Sequence, residues 1–204
     1  FRVHLLHSAT SPAMIRYLDQ DQSFAGRINE NYAREVMELH TLGAEGGYDQ
    51  RDVTALAQLL AGWRHAREAD GRAGRRLRRP FRFAPALADR EARRVLGFHF
   101  PAAPPQGRFE RARMAFEVLA AHPDTARFIA RKLAEHYVAV PAPEALVEHL
   151  AGVFLETDGD LRALLRAMVE HPDFWAAEDE PLVASSKDYG VRLLVDRRYT
   201  QESV

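Results

Sequence analysis

Four residues that can transfer protons or bind ligands lie close together between residues 29 and 48. Asn31, Glu35 and Glu38 are spaced four and three residues apart, and His40 follows two residues later. On a helix these spacings place Asn31 and the two carboxylates on one face, with His40 on the other edge of that face. Carboxylates and imidazoles in such a cluster serve in general acid–base catalysis, or their oxygen atoms bind a cation.

Glu35 falls inside the apolar face of the predicted helix 28–42. At about 100° per residue, the apolar side chains of this helix gather into one arc. The arc consists of Ile28, Tyr32, Val36, Leu39 and Leu42, whereas Arg34, Glu30 and Thr41 point toward solvent. A carboxylate removed from water must be paired, metal-bound or protonated. Glu35 is therefore a structural ion pair, a ligand of Ca²⁺ or Mg²⁺, or a general acid or base.

Lys132 is the predicted counter-ion in the first of these interpretations. It lies at the margin of the apolar arc of the predicted helix 123–139, with an arginine as the second choice. The catalytic interpretation assigns proton transfer to Glu35, Glu38 and His40. The binding residues that it predicts are Asn31, Tyr32, Arg34, Tyr48 and Lys132.

The sequence predicts no metal centre, and it leaves the cofactor undetermined. The chain has no cysteine, and neither Glu-x-x-His nor His-Glu-x-x-His occurs. His4 and His7, one helical turn apart, could chelate Zn²⁺, but packing or surface exposure is the simpler interpretation. Neither a Walker phosphate loop nor a Gly-x-Ser-x-Gly elbow is present.

The elements that must position these residues are mainly helical. Ser11 and Pro12 mark a helix start, Gly43 ends the helix 28–42, and Asp49 caps the next helix, about 50–63. Further helices are predicted at 108–121, 123–139, 143–156, 159–170 and near 185–197. His-Pro-Asp occurs twice, at 122–124 and 171–173, and is typical of helix starts. The predicted fold class is a mainly α, multi-helix bundle with a small β-hairpin insertion.

An arginine-rich segment, 64–82, interrupts the helices, and it could bind an anionic ligand. Beside it, "FRFAP" and "RRVLGFHF" alternate in hydrophobicity and could pair as the hairpin. The predicted organisation is N-terminal helices in 1–63, an insertion in 64–107 and a helical bundle in 108–204, all within one domain. The 204 residues carry a net charge of −1, so nucleic acid is not favoured, and no apolar run is long enough to span a membrane.

These motifs, in this order, resemble the bacterial family catalogued as domain of unknown function eighteen hundred. The quoted matches are "NENYAREVMELHTLGAEGGYDQRDVTALAQLLAGW", "VLG", "HPDTARFIARKL" and "FLETDGDLRALLRAMVEHPDFW". The chain resembles the C-terminal part of that family. The resemblance implies an exported or periplasmic protein, a further N-terminal half or a partner chain, and no established reaction. Relatives show His-Asp where this chain has Ala88 and Asp89, so a family role of that histidine would be absent here.

Two functions remain open at this point. One is a carboxylate-centred site on the segment 29–48, hydrolysing an ester or carbohydrate substrate. The other is a non-catalytic binding or assembly module, in which Glu35 is a structural buried ion pair. A pocket over Glu35, Glu38 and His40 would favour the first, and a sealed pair with Lys132 would favour the second.

Overall fold

The computed structural model describes residues 1–65 and 81–176, which are mainly helical. Within these ranges the α-helices are α1 (Arg2–Ala9), α2 (Pro12–Tyr17), α3 (Asn31–Glu35), α4 (Gln50–Leu60), α5 (Arg108–Ala120), α6 (Pro123–Tyr137), α7 (Glu144–Glu156), α8 (Leu161–Glu170) and α9 (Pro172–Ala176). A π-helix, Val36–Thr41, continues α3 directly. The predicted mainly α fold class is confirmed. The predicted helix near 185–197 and most of the arginine-rich segment lie outside the described residues.

Side-chain caps set the starts of the helices next to the candidate site. Asp49 accepts hydrogen bonds from the backbone N–H groups of Arg51 and Asp52, and the Asp52 carboxylate accepts one from the N–H of Asp49 at 3.1 Å. This reciprocal capping box fixes the start of α4, as the sequence predicts for Asp49. Asp160 caps α8, because its Oδ1 accepts hydrogen bonds from the backbone N–H groups of Arg162 and Ala163.

Both His-Pro-Asp motifs begin a helix, and the histidine is itself the cap. His122 Nδ1 accepts a hydrogen bond from the N–H of Asp124 at 3.2 Å at the start of α6. His171 Nδ1 accepts one from the N–H of Asp173 at 3.3 Å at the start of α9. The interpretation as helix starts is confirmed, and the histidine explains why no serine, threonine or acidic residue precedes the proline.

The described strands form two separate antiparallel pairs. β1 (Trp63–His65) pairs with β2 (Phe81–Phe83), and β3 (Arg93–Val95) pairs with β4 (Phe98–Phe100). The predicted pairing of "FRFAP" with "RRVLGFHF" is therefore wrong, because the second run folds back on itself. Its turn consists of Leu96 and Gly97, both with positive φ, which is the backbone geometry of a two-residue hairpin.

The π-helix changes which side chains of residues 36–41 face the core. Met37 and Thr41 are fully buried, whereas Leu39 is 58% exposed. The predicted positions of Leu39 in the core and Thr41 in solvent are wrong, because hydrogen bonds to the fifth preceding residue widen the turn. The Thr41 hydroxyl donates to the Val36 carbonyl oxygen at 2.7 Å, which stabilises this wider turn.

Buried side chains form two hydrophobic clusters. The first draws mainly on α1, α3, the π-helix, α4 and α5, and Trp63 lies at its centre against Phe81, Phe109 and Phe116. The second draws on α6, α7 and α8. The candidate site lies at the junction, where the π-helix packs against α6. In the described part of the chain, no helix combines the length and the hydropathy needed to cross a membrane.

Candidate functional site

A chain of hydrogen bonds joins the start of α3 to the start of α4. Arg34 Nη2 donates to Gln50 Oε1 at 2.7 Å, and Gln50 Nε2 donates to Glu30 Oε2 at 2.6 Å. The second carboxylate oxygen of Glu30 accepts from the Thr54 hydroxyl at 2.7 Å. This chain fixes the guanidinium of Arg34 at the edge of the candidate site.

Glu35 is half-buried, and its carboxylate has no hydrogen bond and no ion pair with any residue of the ranges 1–65 and 81–176. The predicted counter-ion lies elsewhere. The side chain of Lys132 is 61% exposed, with Nζ 3.4 Å from Glu135 Oε2 and 5.7 Å from the centre of the Phe128 ring. The prediction that Lys132 neutralises Glu35 is therefore wrong. The ammonium is satisfied by its own helix, one turn away.

Glu35 acts electrostatically on the imidazole of His40. Burial lowers the pKa of the His40 imidazole, and the negative charge of Glu35 acts in the opposite direction. A half-buried imidazole with a lowered pKa is neutral at pH 7, so it can accept a proton. The Glu35 carboxylate is placed to stabilise the imidazolium that would result.

Tyr48 lies on the same surface, beside Glu38 and Arg34. Burial raises the pKa of the Tyr48 phenol, Glu38 raises it further, and Arg34 opposes both effects. The phenol is therefore protonated at neutral pH and can donate a hydrogen bond. The charge of Glu35 thus acts on His40, and the charges of Glu38 and Arg34 act on Tyr48.

Two of the predicted binding residues, Tyr32 and Asn31, differ in their exposure to solvent. Tyr32 is fully buried, and its hydroxyl donates to the carbonyl oxygen of Ala9 at 2.7 Å. Burial raises the pKa of Tyr32 well above its usual range. The prediction that Tyr32 binds a ligand is wrong, because its hydroxyl anchors α3 to α1. Asn31, by contrast, has an exposed side chain at the start of α3.

Helix α6 supports the glycine turn that connects the π-helix to α4. Gly43 has φ +84°, and a Cβ atom at this position would approach Cδ2 of Phe128 to 2.7 Å. Four residues later, the N–H of Gly47 donates to Asp124 Oδ2 at 3.0 Å. The sequence predicts the helix-ending role of Gly43, but it carries no signal for these contacts, which join residues far apart in the chain.

The buried ion pair that was predicted for Glu35 exists at another position. Asp89 accepts two hydrogen bonds from Arg93, and Arg111 Nη2 lies 3.4 Å from its Oδ2. Arg111 also donates to the backbone carbonyl oxygens of Asp89, Glu91 and Pro101. Burial lowers the pKa of Arg111, and Asp89 opposes this effect. Asp89 therefore holds the β3–β4 hairpin region against α5.

No group of three or more His, Asp or Glu side chains in the described residues could hold a metal ion. His4 and His7 are exposed on α1. A surface depression on another part of the molecule is lined by Ala120, Ala121, Phe154, Leu155 and Asp158, and contains none of the candidate residues.

Comparison with known proteins gives one family. A model described as "Protein of unknown function (DUF1800)" matches residues 1–191. No curated protein and no solved structure matches the chain.

Proposed function

The chain belongs to the DUF1800 family, and from that premise we propose that its Glu35–His40 pair is an acid–base centre that hydrolyses an ester or glycoside substrate. The observation that supports this proposal is the environment of the Glu35 and His40 side chains. Glu35 is half-buried without a hydrogen bond or ion pair to any described residue, beside an imidazole whose pKa is lowered by burial. A partly buried carboxylate beside a neutral imidazole is an arrangement that general acid–base catalysis uses.

The proposed reaction uses water as the nucleophile. Neutral His40 takes a proton from the attacking water, and Glu35 stabilises the imidazolium. The new bond forms between the water oxygen and the electrophilic carbon of the substrate. As the bond to the leaving group breaks, His40 returns the proton to the leaving oxygen. The products are an acid and an alcohol from an ester, or a hemiacetal sugar and an alcohol from a glycoside.

Neighbouring residues provide the substrate contacts in this proposal. The Tyr48 hydroxyl and the Arg34 guanidinium donate hydrogen bonds, and Glu38 and Asn31 bind hydroxyl groups. Arg34 is held in place by Gln50 and Glu30, so little side-chain freedom is lost when it binds a substrate. Because the family that the sequence resembles is expected to be exported, we propose that the reaction takes place outside the cytoplasm.

A panel of nitrophenyl esters and nitrophenyl glycosides tests the proposal. We expect the wild-type chain to release nitrophenol from at least one substrate class, and E35Q and H40N to lose about 10²- to 10⁴-fold in kcat/KM. The control R113A, whose partly exposed side chain pairs with Glu110 and Glu117 on α5, should retain wild-type activity. A wild-type chain that hydrolyses none of the panel, or variants that match the control, would contradict the proposal.

A non-catalytic binding module is the second candidate, and exposed Leu39 favours it. This apolar side chain projects 58% exposed from the π-helix between Glu38 and His40, as a residue at a protein interface would. In this case L39D should abolish binding to the partner, whereas E35Q and H40N should leave it intact. The sequence predicts for this candidate a buried ion pair of Glu35 with Lys132 or an arginine, but Glu35 has no ion pair with a described residue, and Lys132 pairs with Glu135.

A further inference from the structure

Helix α6 contacts the candidate site through one acidic side chain. Asp124 lies in the first turn of α6, which belongs to the second hydrophobic cluster. Its Oδ2 accepts the hydrogen bond from the N–H of Gly47 at 3.0 Å, across 77 positions of sequence. His122 Nδ1 accepts a hydrogen bond from the N–H of Asp124, which fixes the backbone of Asp124 at the start of α6. Asp124 is thus an ordered acceptor aimed at the turn next to Tyr48.

The turn that receives this hydrogen bond is tight. The N–H of Tyr48 donates a hydrogen bond to the carbonyl oxygen of Gly46 at 2.8 Å. The N–H of Gly46 donates one to the carbonyl oxygen of Gly43 at 3.1 Å. A Cβ atom on Gly46 would lie 2.6 Å from Cβ of Leu42. The peptide at Gly47 therefore determines where the Tyr48 side chain leaves the backbone.

We propose that Asp124 is a positioning residue of the candidate site, which fixes the Gly47 peptide and thereby sets the direction in which the Tyr48 side chain leaves the glycine turn. The relevance of this role to catalysis rests on the proposed function, since Tyr48 is a substrate-binding residue there. The positioning itself requires no substrate. It can therefore be tested separately from hydrolysis.

Two substitutions separate the hydrogen bond of Asp124 from its charge. In D124N the side-chain oxygen can still accept from Gly47, but the negative charge at the start of α6 is lost. In D124A both are lost. A purely structural Asp124, acting through the helix dipole, would make both variants equally unstable and would leave Tyr48 unchanged in both. A positioning Asp124 would make the two variants differ at Tyr48.

Titration of tyrosines labelled with ¹³C at Cζ, with Y48F assigning the signal, measures this difference. Burial and Glu38 raise the pKa of Tyr48 in the wild type. We expect the pKa to fall toward about 10 in D124A, as the phenol moves into water, and to stay near the wild-type value in D124N. Equal pKa values in both variants, or an unchanged value in D124A, would overturn the proposal.

Amide hydrogen exchange at Gly47 provides a second measurement. It is made at neutral pH, and it requires only that both variants are folded. We expect exchange to accelerate by roughly tenfold or more in D124A and to remain slow in D124N. The amide of Asp52, which belongs to the capping box of α4, is the internal reference and should exchange at one rate in all three proteins. If exchange at Gly47 is as fast in D124N as in D124A, the hydrogen bond does not fix the turn, and the proposal is wrong. Loss of hydrolysis without these changes would concern the proposed function alone.

Discussion

Arg111 buries its guanidinium against Asp89, with Nη2 2.5 Å from the Asp89 carbonyl oxygen and 3.4 Å from its Oδ2. The two side chains are only 4% and 9% exposed. Arg93 contacts the same carboxylate from the side with two hydrogen bonds of 2.8 and 2.9 Å. The segment that precedes the β3–β4 hairpin is therefore held to α5 by ionic contacts as well as by apolar packing.

Replacing Arg111 should destabilise the protein strongly. In R111A the carboxylate of Asp89 stays buried with Arg93 as its remaining partner, and four backbone carbonyl groups lose a donor. We expect the free energy of unfolding in urea to fall by about 3 kcal/mol. The control R113A removes an arginine of the same helix that pairs with Glu110 and Glu117 at the surface. Its effect should be much smaller, because surface ion pairs contribute little to stability, and equal effects of the two substitutions would refute the assignment.

Asp52 joins the capping box of α4 to the hairpin turn. Its Oδ2 accepts from the N–H of Asp49, and its Oδ1 accepts from the N–H of Leu96 at 2.7 Å. We expect D52A to lower the free energy of unfolding by about 2 kcal/mol, the upper end for a lost cap, and to accelerate amide exchange at Leu96. D160A, which removes only the cap of α8, should cost about 1 kcal/mol. A D52A effect confined to α4, with slow exchange at Leu96, would contradict this role.

Gly43 tolerates no side chain because of its backbone and its neighbour together. G43A forces an L-residue to φ +84° and directs a methyl group at Phe128. G97A imposes similar strain at φ +79°, but nothing lies within 4 Å of the new Cβ. We expect G97A to cost about 1–2 kcal/mol and G43A more. In an F128A background the extra cost of G43A should disappear, as a double-mutant cycle measures. An equal cost of G43A with and without Phe128 would exclude the steric explanation.

His40 should make the stability of the protein depend on pH. Burial lowers the pKa of His40 in the folded state, so the unfolded chain binds the proton more readily. The stability that neutral His40 contributes is therefore fully present above about pH 6.5. It is lost as the pH falls through the lower pKa of His40 in the folded state. Between pH 7.5 and 5, wild-type stability should decline more than that of H40N. Parallel stability profiles for the two proteins would show that His40 is not buried in this way.

The sequence predicts the features that depend on local chemistry. Asp49 caps a helix where its side chain alone suggests it, and Pro12, Pro123 and Pro172 begin helices as expected. These signals act within four residues, so the neighbouring residues are sufficient to predict them.

Features that depend on distant contacts could not be predicted. The π-helix places Leu39 in solvent and Met37 in the core, which no calculation with a regular helical period would give. Arg111, Asp124 and Trp63, which contact Asp89, Gly47 and Phe81, are separated from them by many residues, and several other residues have the same local pattern. Glu35 is half-buried and not enclosed, because the π-helix that begins at Val36 departs from the 100° per residue on which the predicted apolar arc depends.

The electrostatic coupling of Glu35 to His40 is the central claim, and an NMR titration of the His40 imidazole tests it most directly. The titration compares wild type with E35Q and with the control E45Q, which changes an exposed carboxylate in the glycine turn. Because Glu35 raises the pKa of His40 against the effect of burial, we predict a lower pKa in E35Q than in wild type, and no change in E45Q. A His40 pKa that is the same in all three proteins would contradict the claim that the two residues form an acid–base pair.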